Sequence, residues 1–336
     1  MSLKHKKNKI GFLAALLIFI FCGCSGRQVP KDPITKSDFM LNTFVTITIY
    51  DSQDTDLLDN SLALCREYEN KLSRTIETSE VAKMNHRSPK VGTVAVSEDT
   101  AGLIQKGLEY SRLSGGAFDI TIEPVSSLWD FSSGTGVVPD AQALKRAAGQ
   151  VDYHQVSVEG NQVSFQSPET KIELGAIAKG YIADRIKDYL EEQGVKSAVI
   201  NLGGNVLCIG EKPDGSPFKI GLQKPFRDRN ETIAVLNIRD QSMVTSGIYE
   251  RCFEQDGKFY HHILNPEDGY PYDNGLISVT IVSPKSVDGD GLSTACFSMG
   301  LEKGMALLDQ IPDTYGYFVT EDYQIYYSQG AKELLQ

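Results

Sequence analysis

The chain contains no Cys-x-x-Cys pair, no internal repeat and no low-complexity stretch. Its one sustained apolar run, Ile10 to Phe21, falls short of the about 20 residues a membrane-spanning helix needs. Each absence narrows the possibilities. Cys65, Cys208, Cys252 and Cys296 lie too far apart to suggest a zinc site or a dithiol redox motif. Buried free thiols are expected, with a disulfide between two of them as the alternative in an exported chain. Basic charge is also scarce: 33 Lys and Arg stand against 44 Asp and Glu, a net charge of −11. So acidic a chain is a poor match for nucleic acid. No EF-hand is present either, because Asp288-x-Asp290 lacks the remaining ligands and the terminal Glu.

The amino terminus is the one place where positive charge gathers. Lys4, Lys6, Lys7 and Lys9 precede the apolar run, and Phe21-Cys22-Gly23-Cys24-Ser25 follows it. A basic start, a short apolar core and a small residue before cysteine read as a secretion signal. The segment resembles the lipobox of bacterial lipoproteins, with Phe21 standing where that signal usually carries Leu, Val or Ile. The resemblance implies a signal peptide over residues 1–23, lipidation at Cys24 and a membrane-anchored lipoprotein on the extracytoplasmic side. An uncleaved signal anchor is the alternative. Cleavage before Cys24 removes four lysines and no acids, taking the net charge from −11 to −15. That charge would make an acyl chain, and not basic adhesion, the means of holding the membrane.

Residues 24–37, with Pro30 and Pro33, read as a tether. From residue 38 to 336 no linker justifies a domain cut. Met40 to Tyr50 alternates as a strand, and Asp54 to Leu72 has helical spacing. Ser79 and Ser97 are positioned to cap helices ending near Asn85 and Leu113. Ala117 to Ile122 reads as a short strand after Gly115-Gly116, and Asp140 to Ala148 as a helix. Gln162 to Phe165 alternates as a strand, and Ile177 to Leu190 repeats apolar residues at helical spacing until Gly194. Further strands are expected at 197–200, 205–209, 218–223, 233–238, 243–247, 259–264 and 277–282. A helix over 293–308 and strands near Tyr317 and Ile325 close the chain. Helices and strands mix without strict alternation, which predicts an α+β fold over a doubly wound sheet.

Three carboxylates sit at glycine-rich junctions: Asp119, Glu173 and Asp290. Glycine lets backbone approach a ligand closely, and a helix start offers unpaired N–H groups to an anion. Glu173 and Lys179 bracket Leu174-Gly175-Ala176-Ile177-Ala178, either lining a site or forming a solvated pair. Asp119 is either a site carboxylate or a turn cap. Asp290 and Thr294 are four apart, so on a helix their oxygens share a face; that pair suits Mg²⁺, unless Asp290 or Ser293 merely caps the helix. His261 and His262 would point to opposite faces of a strand, so at most one enters a site as a general base.

In order along the chain stand Gly115-Gly116-Ala117-Phe118-Asp119, Leu174-Gly175-Ala176-Ile177-Ala178-Lys179-Gly180-Tyr181 and Thr245-Ser246-Gly247. His262-Ile263-Leu264-Asn265-Pro266 and Asp290-Gly291-Leu292-Ser293-Thr294-Ala295 follow. Together these motifs resemble the ApbE-type flavin transferases, from about residue 38 to the carboxyl terminus. The resemblance implies one domain with a mixed, largely antiparallel sheet and packed helices. It implies FAD as substrate, Mg²⁺ as cofactor, and transfer of FMN to a threonine or serine of an acceptor protein with release of AMP. Acceptors would be subunits of Rnf-type or sodium-pumping electron-transfer complexes and other exported flavoproteins. By matching position, Met40, Ala117, Phe118, Asp119, Glu173, Lys179 and Leu264 would bind FAD. His262 would activate the acceptor hydroxyl, and Asp290, Thr294 and the Ala176 carbonyl would hold the metal. The family usually has Asp where this chain has Glu173 and Asn265. An FAD pyrophosphatase and a non-catalytic flavin-binding lipoprotein are the alternatives.

Overall fold

Eight strands form the central sheet of the computed structural model, which describes residues 32–131, 136–227 and 231–336. They are Ile34–Met40, Thr43–Ile49, Ser197–Leu202, Asn205–Gly210, Ser242–Gly247, Leu276–Ser283, Tyr315–Thr320 and Ile325–Tyr327. They lie side by side in chain order, each antiparallel to the next. The α+β expectation holds. The signal peptide, Cys24 and most of the expected tether lie outside the described residues. Ile34 to Ser37, expected within the tether, instead pair with Ile49 to Thr46. Thr35, Lys36 and Ser37 are exposed on this edge strand, so no apolar alternation marks it in the sequence.

One face of the sheet is covered by the helices Asp56–Leu72, Ala178–Glu192 and Ser286–Met299. Val45, Ile47, Ile49, Ile200 and Ile281 point from the strands into that layer. The hairpin Phe218–Gln223/Thr232–Ile238 covers part of the other face, packing Phe218, Leu222 and Leu236 on Val206, Met243 and Tyr317. Cys65, Cys208 and Cys296 are buried free thiols, and burial pushes each up to about 12, so they are inert at neutral pH.

Further expectations fail for identifiable reasons; the strand expected over 259–264, for one, is Lys258–His261. Ala117 to Ile122 forms a turn, not a strand. Gly115 and Gly116 take φ of 62° and 86°, and side chains satisfy the backbone: Ser114 Oγ accepts from Phe118 N, and Asp119 Oδ1 accepts from Thr121 N. The helix expected over 293–308 is two helices, Ser286–Met299 and Leu301–Leu308, divided at Gly300 with φ 79°. The first starts before Asp288-Gly289-Asp290-Gly291, the glycine-rich junction, and so takes that run into its first two turns. Its cap comes from another helix: Asp184 accepts from Ser286 N and Val287 N at 2.8 and 2.9 Å. Its glycines serve close packing, since a Cβ on Gly291 would lie 2.2 Å from the Tyr110 ring.

The Lys179 and Asp290 helices come into close backbone contact. A Cβ on Gly180 would stand 2.3 Å from the Ser286 carbonyl oxygen and 2.7 Å from the Val287 Cα. Backbone cannot rotate away as a side-chain tip can. Gly180→Ala is therefore expected to destabilise the chain by about 1–3 kcal/mol despite the better helix propensity of alanine. A urea midpoint equal to that of the parent would contradict this packing.

Candidate active site

The described residues enclose a cleft of about 510 Å³ between the first hairpin, the Lys179 and Asp290 helices, and the segment Gly247–Pro266. Its floor is made by the two helices. Lys179 sits in the first turn of Ala178–Glu192, and Asp290 in the second turn of Ser286–Met299. Asp290 Oδ2 accepts the Gly180 N–H at 2.8 Å, while Oδ1 faces Lys179 Nζ at 4.0 Å. Asp290 is only 4% exposed, and burial raises its pKa; the nearby Lys179 charge and the Gly180 N–H oppose that rise. Thr294, one turn on, also lines the cleft, with its hydroxyl 2.9 Å from Ser246 Oγ.

His262 also lines the cleft. The strand Lys258–His261 ends one residue before it, so the ring leaves the ladder at a bend. His261 turns away and contacts the Tyr272 carbonyl through Nε2 at 2.9 Å. The Arg251 carbonyl lies 3.3 Å from His262 Nδ1 and 3.2 Å from His262 N. A carbonyl only accepts, so the proton of the neutral ring sits on Nδ1 and Nε2 keeps its lone pair. Desolvation, aided by Arg251, His261 and Lys179, drives the His262 pKa down to about 3.

Ala117, Phe118, Asp119, Glu173, Ala176 and Leu264 also line the cleft. Asp119 is buried, which raises its pKa, and is held by Thr121 N, Thr121 Oγ1 and Tyr153 N. It caps a turn and lines the site at once. Glu173 is anchored by Arg74 Nε at 3.3 Å and by the Ser126 hydroxyl. Of the expected binding residues, Met40 alone does not reach the cleft: it is 4% exposed within the core, and its neighbours Phe39 and Leu41 line the cleft instead. Asn265 shapes a turn, accepting from Glu267 N, and does not line the cleft.

Ser246, Asn205 and Arg251 also line the cleft, without an expected role there. Ser246 lies within Thr245-Ser246-Gly247, and nothing in the residue spacing singles out Arg251. Among the described residues no three His, Cys, Asp or Glu side chains cluster as metal ligands. The expected metal ligands are the carboxylate of Asp290, the hydroxyl of Thr294 and the peptide oxygen of Ala176, all hard oxygens from residues lining the cleft. Such a sparse set fits Mg²⁺, which keeps several waters and shares substrate phosphate, better than Zn²⁺ or Ca²⁺.

A sequence model of the ApbE family matches residues 41–318. The chain belongs to the ApbE family. A Klebsiella pneumoniae FAD:protein FMN transferase is 41% identical over 88% of this chain and 92% of its own length. A Treponema pallidum protein of the same name is 31% identical over 97% and 95%. The ApbE fold is equally evident in solved structures. The Vibrio cholerae flavin transferase ApbE superposes with a TM-score of 0.81 at 28% identity, covering 91% of this chain and all of that one. The Thermotoga maritima ApbE protein gives 0.82 at 32% identity, with the same coverage.

In this ApbE-family chain without ligand, the His262 ring should stay neutral from about pH 5 to 8, with no titration near the ordinary histidine value of about 6.5. Ring-proton NMR reads this directly. A midpoint near 6.5 would mean that water solvates the charged ring far better than the cleft geometry implies.

Proposed function

We propose that this chain is an FAD:protein FMN transferase. The observation that carries this reading is the convergence of His262, Lys179, Asp290 and Thr294 on one cleft. A pyrophosphate needs positive charge along its length, and an acceptor hydroxyl needs a base at its attacking side. The cleft offers both. Relatives named for the transfer, matching over nearly their full lengths, support it.

In the reaction, the acceptor threonine or serine oxygen attacks the FMN phosphorus. The new O–P bond forms as the P–O bond to AMP breaks, and AMP leaves with the bonding pair. His262 Nε2 takes the hydroxyl proton; its depressed pKa keeps it unprotonated until substrate charge enters the cleft. Lys179 places a positive charge beside the phosphates. Ala117, Phe118, Asp119, Glu173 and Leu264 bind the remainder of FAD, with the longer Glu173 stem accommodated by Arg74 and Ser126. Asp290, Thr294 and the Ala176 carbonyl hold Mg²⁺, which when bound neutralises charge on the pyrophosphate and the leaving AMP. Lipidation at Cys24 holds the enzyme on the extracytoplasmic side of the membrane, where exported flavoproteins of the Rnf or sodium-pumping type are its acceptors. The basic start and short apolar run before Cys24 support that placement.

The test mixes a form beginning after Cys24 with FAD, Mg²⁺ and an acceptor domain, and follows AMP together with acceptor mass. AMP with a gain of one FMN unit is expected. AMP without a mass gain would mean hydrolysis, and bound FAD without AMP would mean a flavin-binding protein. His262→Ala should lower transfer by about 10²–10⁴-fold while FAD affinity changes only a few-fold. Asp290→Ala should abolish AMP release with partial loss of FAD retention; an active variant would remove the metal assignment.

A further inference from the structure

Phe39 and Phe44 are 61% and 63% exposed, although aromatic rings of this size ordinarily bury most of their surface. They face each other across the first hairpin, with centroids 5.5 Å apart in an edge-to-face arrangement. The hairpin turns through Leu41 and Asn42 at φ 55° and 56°, and Glu69 Oε1 fixes the turn by accepting the Leu41 N–H at 2.8 Å. The pair is therefore preorganised. Phe39, Leu41, Asn42 and Thr43 line the cleft, and Phe44 stands just outside it. The outer strand is the edge of the sheet, and the Phe39 N–H is taken by the Asp38 carboxylate, not by another strand.

We infer that this aromatic pair is the docking point for the acceptor protein, gripping the chain that carries the hydroxyl beside the cleft. The inference rests on the transfer reading above, which requires a folded partner to present a hydroxyl at this cleft. Continuity with the cleft favours that occupant, and so does size. The two rings offer roughly 250 Å², far below the about 800 Å² per partner of a stable dimer, which suits a protein substrate that must leave after each turnover. The rest of the face is neutral: Thr35 meets Thr48 at 3.1 Å and Ser37 meets Thr46 at 2.8 Å. With no Lys or Arg on that face, it offers no attraction to an anionic bilayer.

The experiment compares the parent with Phe44→Ser, using the soluble domain of an Rnf-type acceptor subunit as probe and flavin fluorescence of the denatured acceptor as readout. The KM for acceptor should rise about ten-fold, as for loss of an aromatic anchor, with kcat and FAD affinity within about two-fold. Phe44→Tyr should restore the parent KM. An unchanged KM overturns the inference. So does a variant whose altered property is sedimentation, which would assign the pair to a second copy, or vesicle flotation, which would assign it to the bilayer. A parent that releases AMP but never labels the acceptor would remove the transfer reading itself, and this partner with it.

Discussion

The cleft depends on one close approach of backbones. Gly180 has no Cβ, so the Lys179 and Asp290 helices come near enough for the Gly180 N–H to reach the Asp290 carboxylate at 2.8 Å. That contact places a buried carboxylate and a lysine on one floor while keeping both helices seated on the sheet. A buried charge without such partners would be strongly disfavoured. Asp184 repeats the device one turn along the Lys179 helix, capping the start of the Asp290 helix. Two carboxylates thus fix the register of one helix against the other. Burial pushes Asp184 up to about 6 even with both N–H donors, a measure of how dry this interface is.

The His262 wall is set by a different rule. The Arg251 carbonyl orients His262 through Nδ1, and a carbonyl can enforce only one tautomer. Desolvation and the nearby Arg251 and Lys179 charges then disfavour the protonated ring. The cleft lining is electrostatically complementary: Lys179 and the hard oxygens of Asp290 and Thr294 line it together with the neutral ring of His262. The cleft therefore offers a phosphoryl group polarising charge and a proton acceptor.

Much of this arrangement was legible in the sequence, because local signals and tertiary demands agreed. The four-residue spacing of Asp290 and Thr294 survives even though their helix begins earlier than expected. The strand expected over 259–264 ends instead at His261, so His262 leaves the sheet at a bend, and Gly180 serves helix packing where approach to a ligand was expected. What escaped detection depends on partners, exposure and facing that residue spacing does not encode. The start of the Asp290 helix is capped by Asp184, 102 residues upstream of Ser286, so no local cap announces it. The Ala117–Ile122 segment has the apolar content of a strand, but side chains of Ser114 and Asp119 satisfy its backbone. The edge strand at Ile34 is polar because one side faces water. Met40 sits in the core although its neighbours line the cleft, since adjacent strand residues point opposite ways.

The central claim is that pyrophosphate and metal meet between the Asp290 floor and the His262 wall. Crystals grown with FAD and Mn²⁺, with anomalous data collected at the manganese edge, test it most directly. The account predicts one peak touching Asp290 and Thr294, with the FAD phosphates between it and His262. A peak elsewhere, or FAD bound with its phosphates turned away from that floor, would contradict it.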